Sequence, residues 1–104
     1  MDTPIKLKRL HPEAIVPAFK TAGAACADLY TVDQCYLKPD EHRAFSLGWA
    51  MEIPVGYEVV IRPRSGLALK RGITVLNSPG TIDSDYRGEV SVILVNHSFE
   101  SRWI

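Results

Sequence analysis

The chain has 104 residues, which is the length of one domain and near the small end of what buries an adequate core alone. Hydrophobic residues make up 46% and charged residues 23% of the sequence, which excludes a disordered or fibrous chain. Lys and Arg together number 12, as do Asp and Glu, so no net positive field predicts a nucleic-acid partner. The small core is consistent with stabilisation by oligomerisation.

The sequence also argues against a membrane span, a disulfide framework and a metal centre built on Cys or His. No apolar run approaches the roughly 20 residues that span a bilayer, and the N-terminus lacks the apolar core of a signal peptide, so we expect no membrane partner and a cytoplasmic location. Cys26 and Cys35 form no Cys-x-x-Cys pair and are expected to be buried thiols. The three histidines have no metal-like spacing and are predicted to be structural or surface residues: His11, His42 and His97.

Seven prolines interrupt every long window and exclude an extended amphipathic helix, so the chain is predicted to be mainly β. Many short strands at close spacing favour a barrel or sandwich. The predicted strands before the middle of the chain lie at 5–10, 27–32, 36–37 and 43–47, the last broken by Gly48.

The segments 49–53 and 57–62 flank Pro54–Gly56, a connection of hairpin length. Within the second of them, Val59–Ile61 is continuously apolar and predicted to be buried on both faces. A short helix is predicted over Ser65–Arg71, with serine at its cap and Gly72 as its stop. The most apolar strand is predicted at Val90–Val95.

Two aspartates, an aromatic ring and two glycines are concentrated in Asn77–Val90, which reads NSPGTIDSDYRGEV and is predicted to form a hairpin. In an extended segment, Asp83 and Asp85 would share one face. Such a pair could hold a hard cation, activate a water, or split its pKa values so that one acid acts as a base. The alternative is a solvated turn, which the composition alone favours.

The stretch Arg62–Gly72, RPRSGLALKRG, could form a phosphate cradle. A strand would deliver Arg64 and Ser65 to Gly66, where the absence of a side chain lets a ligand approach the free N–H groups of a helix start. Arg64 would supply a planar charged fork. The alternative is an ordinary helix cap with a solvated Arg64.

A third stretch, TAGAACADLY at Thr21–Tyr30, places Asp28 at the beginning of a predicted strand. Asp28 could end a turn, or it could hold a metal-bound water opposite the pair of acids. None of the three stretches decides the function by itself.

Together, and in this order, the three stretches resemble the conserved motifs of the trimeric dUTP pyrophosphatase (dUTPase) family. The matching segments are AGAACADL, PRSGLA and NSPGTIDSDYRGE, and the resemblance runs from Ile5 to Val95. The related dCTP deaminases share the fold but carry a different pattern at the second and third motifs. The resemblance implies a single all-β domain over 1–104, a dUTPase-like β-barrel or β-clip (a distorted jelly roll) with at most one short helix.

The resemblance further implies Mg²⁺-dependent hydrolysis of dUTP to dUMP and pyrophosphate, which keeps uracil out of DNA and supplies dUMP for thymidylate synthesis. Asp83 would orient and deprotonate the attacking water, and Asp28 would hold Mg²⁺ through its coordinated water. Family members are homotrimers with sites between subunits. The residues implied to bind the nucleotide are Arg64, Ser65 and Gly66 at the phosphates, Asn77, Gly80, Thr81, Ile82 and Ser91 at uracil, and Tyr86 beneath the deoxyribose.

The sequence departs from the family pattern in two places. Cys26 stands where the family usually has Gly, and Ala27 where a larger residue is common. The C-terminal VNHSFESRWI ends where family members continue into a fourth motif and a flexible arm with a fifth, so both are expected to be lacking. The chain is then a fragment, a truncated protein that depends on a partner, or an inactive relative acting as a nucleotide-gated regulatory or protein-binding module.

Overall fold

The computed structural model describes residues 4–104, and these form eight strands and one short helix. The predicted all-β class is therefore confirmed. No helix among residues 4–104 is long and apolar enough to cross a membrane. The elements in chain order are β1 Lys6–Arg9, β2 Tyr36–Leu37, β3 His42–Glu52, β4 Val59–Ile61, α1 Ser65–Arg71, β5 Ile73–Val75, β6 Gly80–Ile82, β7 Glu89–Asn96 and β8 Arg102–Trp103.

The strands form three separate antiparallel sheets. The largest has the order β1-β3-β7-β5, and the pairs β2-β8 and β4-β6 form two-stranded ribbons. No closed barrel forms within the described part of the chain. The expected jelly-roll elements are present as a sheet with two ribbons.

The core lies on one face of the large sheet, where β3 and β7 contribute alternate apolar side chains. Leu47 and Val90 are almost fully buried, and Ile53 just beyond β3 closes the same cluster. Burying such side chains contributes about 1.5–3 kcal/mol each, so this face accounts for much of the stability of the domain.

Gly48 does not break the third strand, contrary to the expectation. β3 continues through it with a change of register between Ser46 and Ala50, and Gly48 adopts φ +78°. Its carbonyl oxygen accepts the backbone N–H groups of Leu10 and His11 over 2.8 and 3.1 Å. The glycine thus makes a bulge that bends the strand and attaches the preceding connection to it.

Two predicted hairpins are wrong. The strands β6 and β7 were expected to pair with each other as a hairpin within Asn77–Val90. Instead, β6 pairs with β4, and β7 lies between β3 and β5. The strands on either side of Pro54–Gly56 also pair with different partners. Short loops between strands suggested local pairing, whereas the burial of apolar faces between distant segments decides the topology.

Three local predictions need correction. The segment 27–32 forms no strand, and its sheet-like contact is a single bridge between Ala18 and Asp28. Val59 and Val60 are half-buried, so β4 is not covered on both faces. The thiols were expected to be buried, but Cys26 is exposed and Cys35 is half-buried, because both lie in irregular segments outside the core.

The helix forms over the predicted residues. Gly72 terminates it in the left-handed conformation at φ 67°, with its N–H donating to Ala68. Arg64, rather than Ser65, occupies the N-cap position, without a capping side-chain hydrogen bond. None of the helical residues is buried, so α1 lies on the surface.

Candidate active site

The ribbon of β4 and β6 has several of the predicted site residues at or near its two ends, whereas Asp28 and Ser91 lie on other segments. Val59 pairs with Ile82, and Ile61 pairs with Gly80. Because the strands are antiparallel, Asp83 leaves one end of the ribbon while the chain that follows Ile61 leaves the other end toward Arg64. The fold therefore separates the proposed base from the proposed phosphate cradle within one chain.

Asp83 begins a turn at the rim of an open concavity of about 500 Å³. The N–H of Tyr86 donates to the carbonyl oxygen of Asp83 over 3.1 Å, so residues 83–86 are a turn and not an extended strand. Asp83 and Asp85 therefore do not project from one strand face, and of the two alternatives the exposed turn is the one that forms. The concavity is lined by Gly56, Tyr57, Glu58, Asp83, Ser84 and Asp85.

Three of these lining side chains are carboxylates, from Glu58, Asp83 and Asp85, and none is basic. A triphosphate carries several negative charges, so this rim alone would repel it. The carboxylate of Asp83 is exposed and makes no side-chain hydrogen bond or ion pair within residues 4–104. It is free to accept a hydrogen bond from a water molecule, but positive charge has to reach the nucleotide from another surface.

The opposite end of the ribbon supplies such charge. Arg64 is exposed and extended (φ −88°, ψ 129°) immediately before α1, and Ser65 and Gly66 form the first turn of the helix. A Cβ placed on Gly66 would meet nothing within 4 Å, so the backbone there is open to a ligand. The elements of the predicted cradle are all present on one exposed surface.

Asn77 and Gly80 lie together at this same end. A Cβ on Gly80 would be 3.5 Å from the Nδ2 atom of Asn77, so the amide group lies over the glycine in ordinary contact distance. Thr81 is exposed, whereas the side chain of Ile82 belongs to the core, leaving its backbone for any contact with a nucleotide. Ser91 is exposed on β7, opposite Ser46.

Asp28 lies outside the ribbon, at an isolated bridge with Ala18. Its backbone N–H donates to Ala18 over 3.1 Å, and its half-buried carboxylate is 4.0 Å from the ammonium group of Lys20. Within residues 4–104 no group of three His, Cys, Asp or Glu side chains could hold a metal ion. The chain therefore offers no all-protein metal cage among its described residues.

Comparison with known proteins identifies the family. A dUTPase family model matches residues 12–101. The chain belongs to the dUTPase family. A deoxyuridine 5'-triphosphate nucleotidohydrolase of Nautilia profundicola is 57% identical over 97 residues, covering 93% of this chain and 68% of that protein. The deoxyuridine 5'-triphosphate nucleotidohydrolase of Helicobacter hepaticus is 53% identical over 96 residues, covering 92% of this chain and 61% of that protein.

Solved dUTPase structures share the fold. A mutant dUTPase of Staphylococcus bacteriophage 80alpha with dUpNHpp superposes with a TM-score of 0.85 at 25% identity, covering 93% of this chain and 56% of that chain. A mutant dUTPase from phage phi11 of S. aureus superposes with a TM-score of 0.84 at 24% sequence identity. Its structure concerns the coordination of a structural Mg(II) ion. This dUTPase-family chain spans about 56% and 61% of those two structures, and 61% to 68% of the two relatives above.

The donor groups of this dUTPase-family chain fit Mg²⁺ held through its waters better than direct coordination. Mg²⁺ dehydrates reluctantly and usually binds through one or two carboxylates together with substrate phosphates. Asp28 supplies one such carboxylate, and the ammonium group of Lys20 would have to move away from it for a hydrated Mg²⁺ to bind. Asp28 is the residue that fits outer-sphere binding.

Sequence reasoning missed Tyr57 and Glu58 at the concavity and the structural role of Asn96. Tyr57 and Glu58 reach Asp83 only because β4 pairs with β6, which local sequence does not indicate. Asn96 is fully buried, and its amide donates to the carbonyl groups of Leu37 and Glu100, over 2.8 Å each. A polar residue that ends a long apolar strand was the available signal.

Proposed function

We propose that this dUTPase-family chain hydrolyses dUTP between the α and β phosphorus atoms, giving dUMP and pyrophosphate, and so keeps uracil out of DNA and supplies dUMP for thymidylate synthesis. The observation that carries the proposal is Asp83, an exposed carboxylate at a concavity in a segment shared with relatives named for this reaction. A cytoplasmic location fits this substrate.

Asp83 acts as the general base. Its carboxylate has no competing partner within residues 4–104 and faces open space, so it can accept a proton from a water molecule directed at the α phosphorus. Its backbone is held on one side by the β4-β6 ribbon and on the other by the turn to Tyr86. Such support fixes the base while its carboxylate stays accessible.

Arg64, Ser65 and Gly66 bind the phosphates. The guanidinium group offers a planar donor pair for phosphate oxygens, and open backbone at Gly66 allows close approach. These donors would stabilise the charge that builds on the departing pyrophosphate. Mg²⁺, when bound near Asp28, would neutralise phosphate charge.

Asn77, Gly80, Thr81, Ile82 and Ser91 form the uracil site. Asn77 contributes an amide that can match a pyrimidine edge, and it lies in contact distance over Gly80. A pocket sized to uracil rejects the thymine methyl group, and it rejects cytosine because its polar groups would then be left unpaired. Tyr86 packs under the deoxyribose and excludes the 2'-hydroxyl of a ribose.

The chain acts as a homotrimer with its sites between subunits. Asp83 and Arg64 leave opposite ends of one ribbon, so a dUTP molecule would bridge them most directly when they come from different subunits. Large apolar side chains that a partner would cover are also exposed. The most exposed of those in the N-terminal half and helix are Phe19 at 62%, Tyr36 at 64% and Leu69 at 86%.

We also propose that residues 1–104 form a single dUTPase-like domain. The fourth and fifth motifs of the family match no segment of these residues. Turnover by residues 1–104 alone is expected to be slow, because a closing arm excludes water and completes the phosphate clamp.

The test is a turnover assay with dUTP and Mg²⁺ on residues 1–104, with dUMP and pyrophosphate separated by ion-exchange chromatography. UTP, dTTP and dCTP serve as controls, and ammonia release from dCTP is measured in parallel. We expect dUMP and pyrophosphate in equal amounts from dUTP, and no ammonia. Tight dUTP binding without any product would instead support a nucleotide-gated regulatory or protein-binding module.

A further inference from the structure

The phenol of Tyr86 is anchored within its own loop. Its hydroxyl donates a hydrogen bond to the carbonyl oxygen of Glu89 over 2.7 Å. Tyr86 nevertheless remains 45% exposed, so a substantial part of the side chain is open to a ligand. The ring is therefore held at one edge and available elsewhere.

The acceptor of this hydrogen bond is fixed by the sheet. Glu89 begins β7 and is paired with Ala50 of β3, just after the bulge at Gly48. Its carboxylate also accepts a hydrogen bond from the hydroxyl of Ser46 on the same strand. Both main chain and side chain thus attach Glu89 to β3, and Tyr86 is attached to Glu89.

Gly88 leaves the space that the ring occupies. A Cβ on Gly88 would lie 2.7 Å from the hydroxyl oxygen of Tyr86 and 2.8 Å from its Cζ atom, well inside contact distance. Gly88 is not among the residues with positive φ, so its backbone does not require glycine. The ring of Tyr86 is what excludes a side chain at this position.

We propose that Gly88, with the hydroxyl of Tyr86, sets the position of the Tyr86 ring and thereby the preference for deoxyribose over ribose, although Gly88 itself does not touch the sugar. This inference rests on the proposed role of Tyr86 beneath the sugar. Gly88 is a positioning residue. A methyl group at position 88 displaces the end of one flexible side chain, which can rotate away by giving up its hydrogen bond to Glu89 without unfolding the domain.

The test compares Gly88→Ala with Tyr86→Phe and with Gly23→Ala as a matched control, using residues 1–104. Gly23 has no atom within 4 Å of an added Cβ, so the control makes the same chemical change in open space. Calorimetric titration measures affinities for dUDP and UDP, which avoids any dependence on turnover. Ring-labelled tyrosine NMR reports the position of Tyr86, whose signal is identified by its loss in Tyr86→Phe.

In Gly88→Ala we expect the Tyr86 ring signal to shift and the ratio of dUDP to UDP affinity to fall about five- to tenfold, which is part of the roughly 100-fold by which an apolar pocket can reject an added hydroxyl group. Tyr86→Phe keeps the ring but loses the anchor, so its ratio falls less. Gly23→Ala keeps the wild-type ratio.

An unchanged ratio in both Gly88→Ala and Tyr86→Phe would overturn the inference, as would a wild-type chain that binds dUDP and UDP equally. A wild-type chain that prefers dUDP but does not hydrolyse dUTP contradicts the proposed activity and leaves this inference standing. A shift in stability without a change in the affinity ratio shows a purely structural glycine and also overturns it.

Discussion

The backbone N–H of Tyr86 donates to the carbonyl oxygen of Asp83 over 3.1 Å, which closes a turn and makes Asp83 and Asp85 unequal. Asp83 directly follows Ile82, whose backbone is paired with Val59. Asp85 lies inside the turn, and its carboxylate makes no hydrogen bond or ion pair within the described residues. Of the two acids, only Asp83 therefore adjoins a paired strand residue.

Asp83→Asn should abolish dUMP production while nucleotide binding survives. The amide has the shape of the carboxylate but cannot accept the proton of the attacking water, and loss of a general base typically costs 10²- to 10⁴-fold in rate. Asp85→Asn makes the same change two residues away and should keep turnover within about fivefold. Stopped assays of dUMP, with dUDP titrations of each variant, measure both effects. Full turnover in Asp83→Asn would remove Asp83 from the role of base.

Gly48→Ala should destabilise the domain by about 2–5 kcal/mol, the sum of about 1–2 kcal/mol of left-handed backbone strain and about 1–3 kcal/mol of overpacking. Gly48 has φ +78°, and an added Cβ would lie 2.9 Å from that of Ala14 and 3.0 Å from that of His11. Urea unfolding followed by tryptophan fluorescence gives the free energy of unfolding. Gly23→Ala is the control and should change it by less than about 0.5 kcal/mol. Equal stability of the two variants would contradict the bulge as a required feature.

Asn96→Ala should cost about 2–4 kcal/mol in the free energy of unfolding, because truncation leaves buried groups without partners at about 1–3 kcal/mol each. Its amide satisfies the carbonyl groups of Leu37 and Glu100, and its Oδ1 accepts the N–H and hydroxyl of Ser98. The exposed Ser101→Ala is the matched control, since it removes a hydroxyl from the same segment. Urea unfolding of both variants gives the comparison. A loss below about 1 kcal/mol would show that water replaces the amide.

Glu41→Gln should weaken the fold near neutral pH and have no effect in acid. The backbone N–H of Lys38 donates to the Glu41 carboxylate over 2.9 Å and, with the nearby charge of Arg43, holds the pKa of Glu41 below its ordinary value of 4.5. A lowered folded pKa stabilises the fold above the unfolded value, and this contribution disappears as pH falls through the folded pKa. Thermal melts at neutral pH and in acid below the folded pKa should show a lower Tm for the variant only at neutral pH. A Tm difference that is larger in acid would contradict this sign.

The sequence predicts local structure well where one residue decides it. Gly72 ends the helix because its left-handed conformation suits glycine, and a strand forms at 6–9 within the predicted segment. Prediction from the sequence fails where the partner of a strand lies far along the chain. Nothing local indicates that Gly80–Ile82 pairs with β4, and this pairing separates Asp83 from Arg64.

The candidate site also divides into features that the local sequence predicts and features that depend on distant segments. The motif order identifies Asp83, Arg64 and Asp28 as candidates, because residue types and their spacing are visible in sequence. Their relative positions are not visible, since they depend on which elements pair and on neighbouring subunits. Tyr57 and Glu58 entered the site only through that pairing.

Mixing two inactive variants tests whether sites lie between subunits. Asp83→Asn lacks the base and Arg64→Ala lacks the phosphate fork, and each should reduce turnover at least about 100-fold on its own. If each site takes Asp83 from one subunit and Arg64 from its neighbour, mixed trimers contain some sites with both residues intact. Unfolding and refolding an equal mixture should then restore roughly a quarter of wild-type turnover, because half of the subunits carry each wild-type residue. Refolded single variants are the controls, and native mass spectrometry confirms mixed trimers. Mixed trimers without restored turnover would place both residues of each site on one subunit.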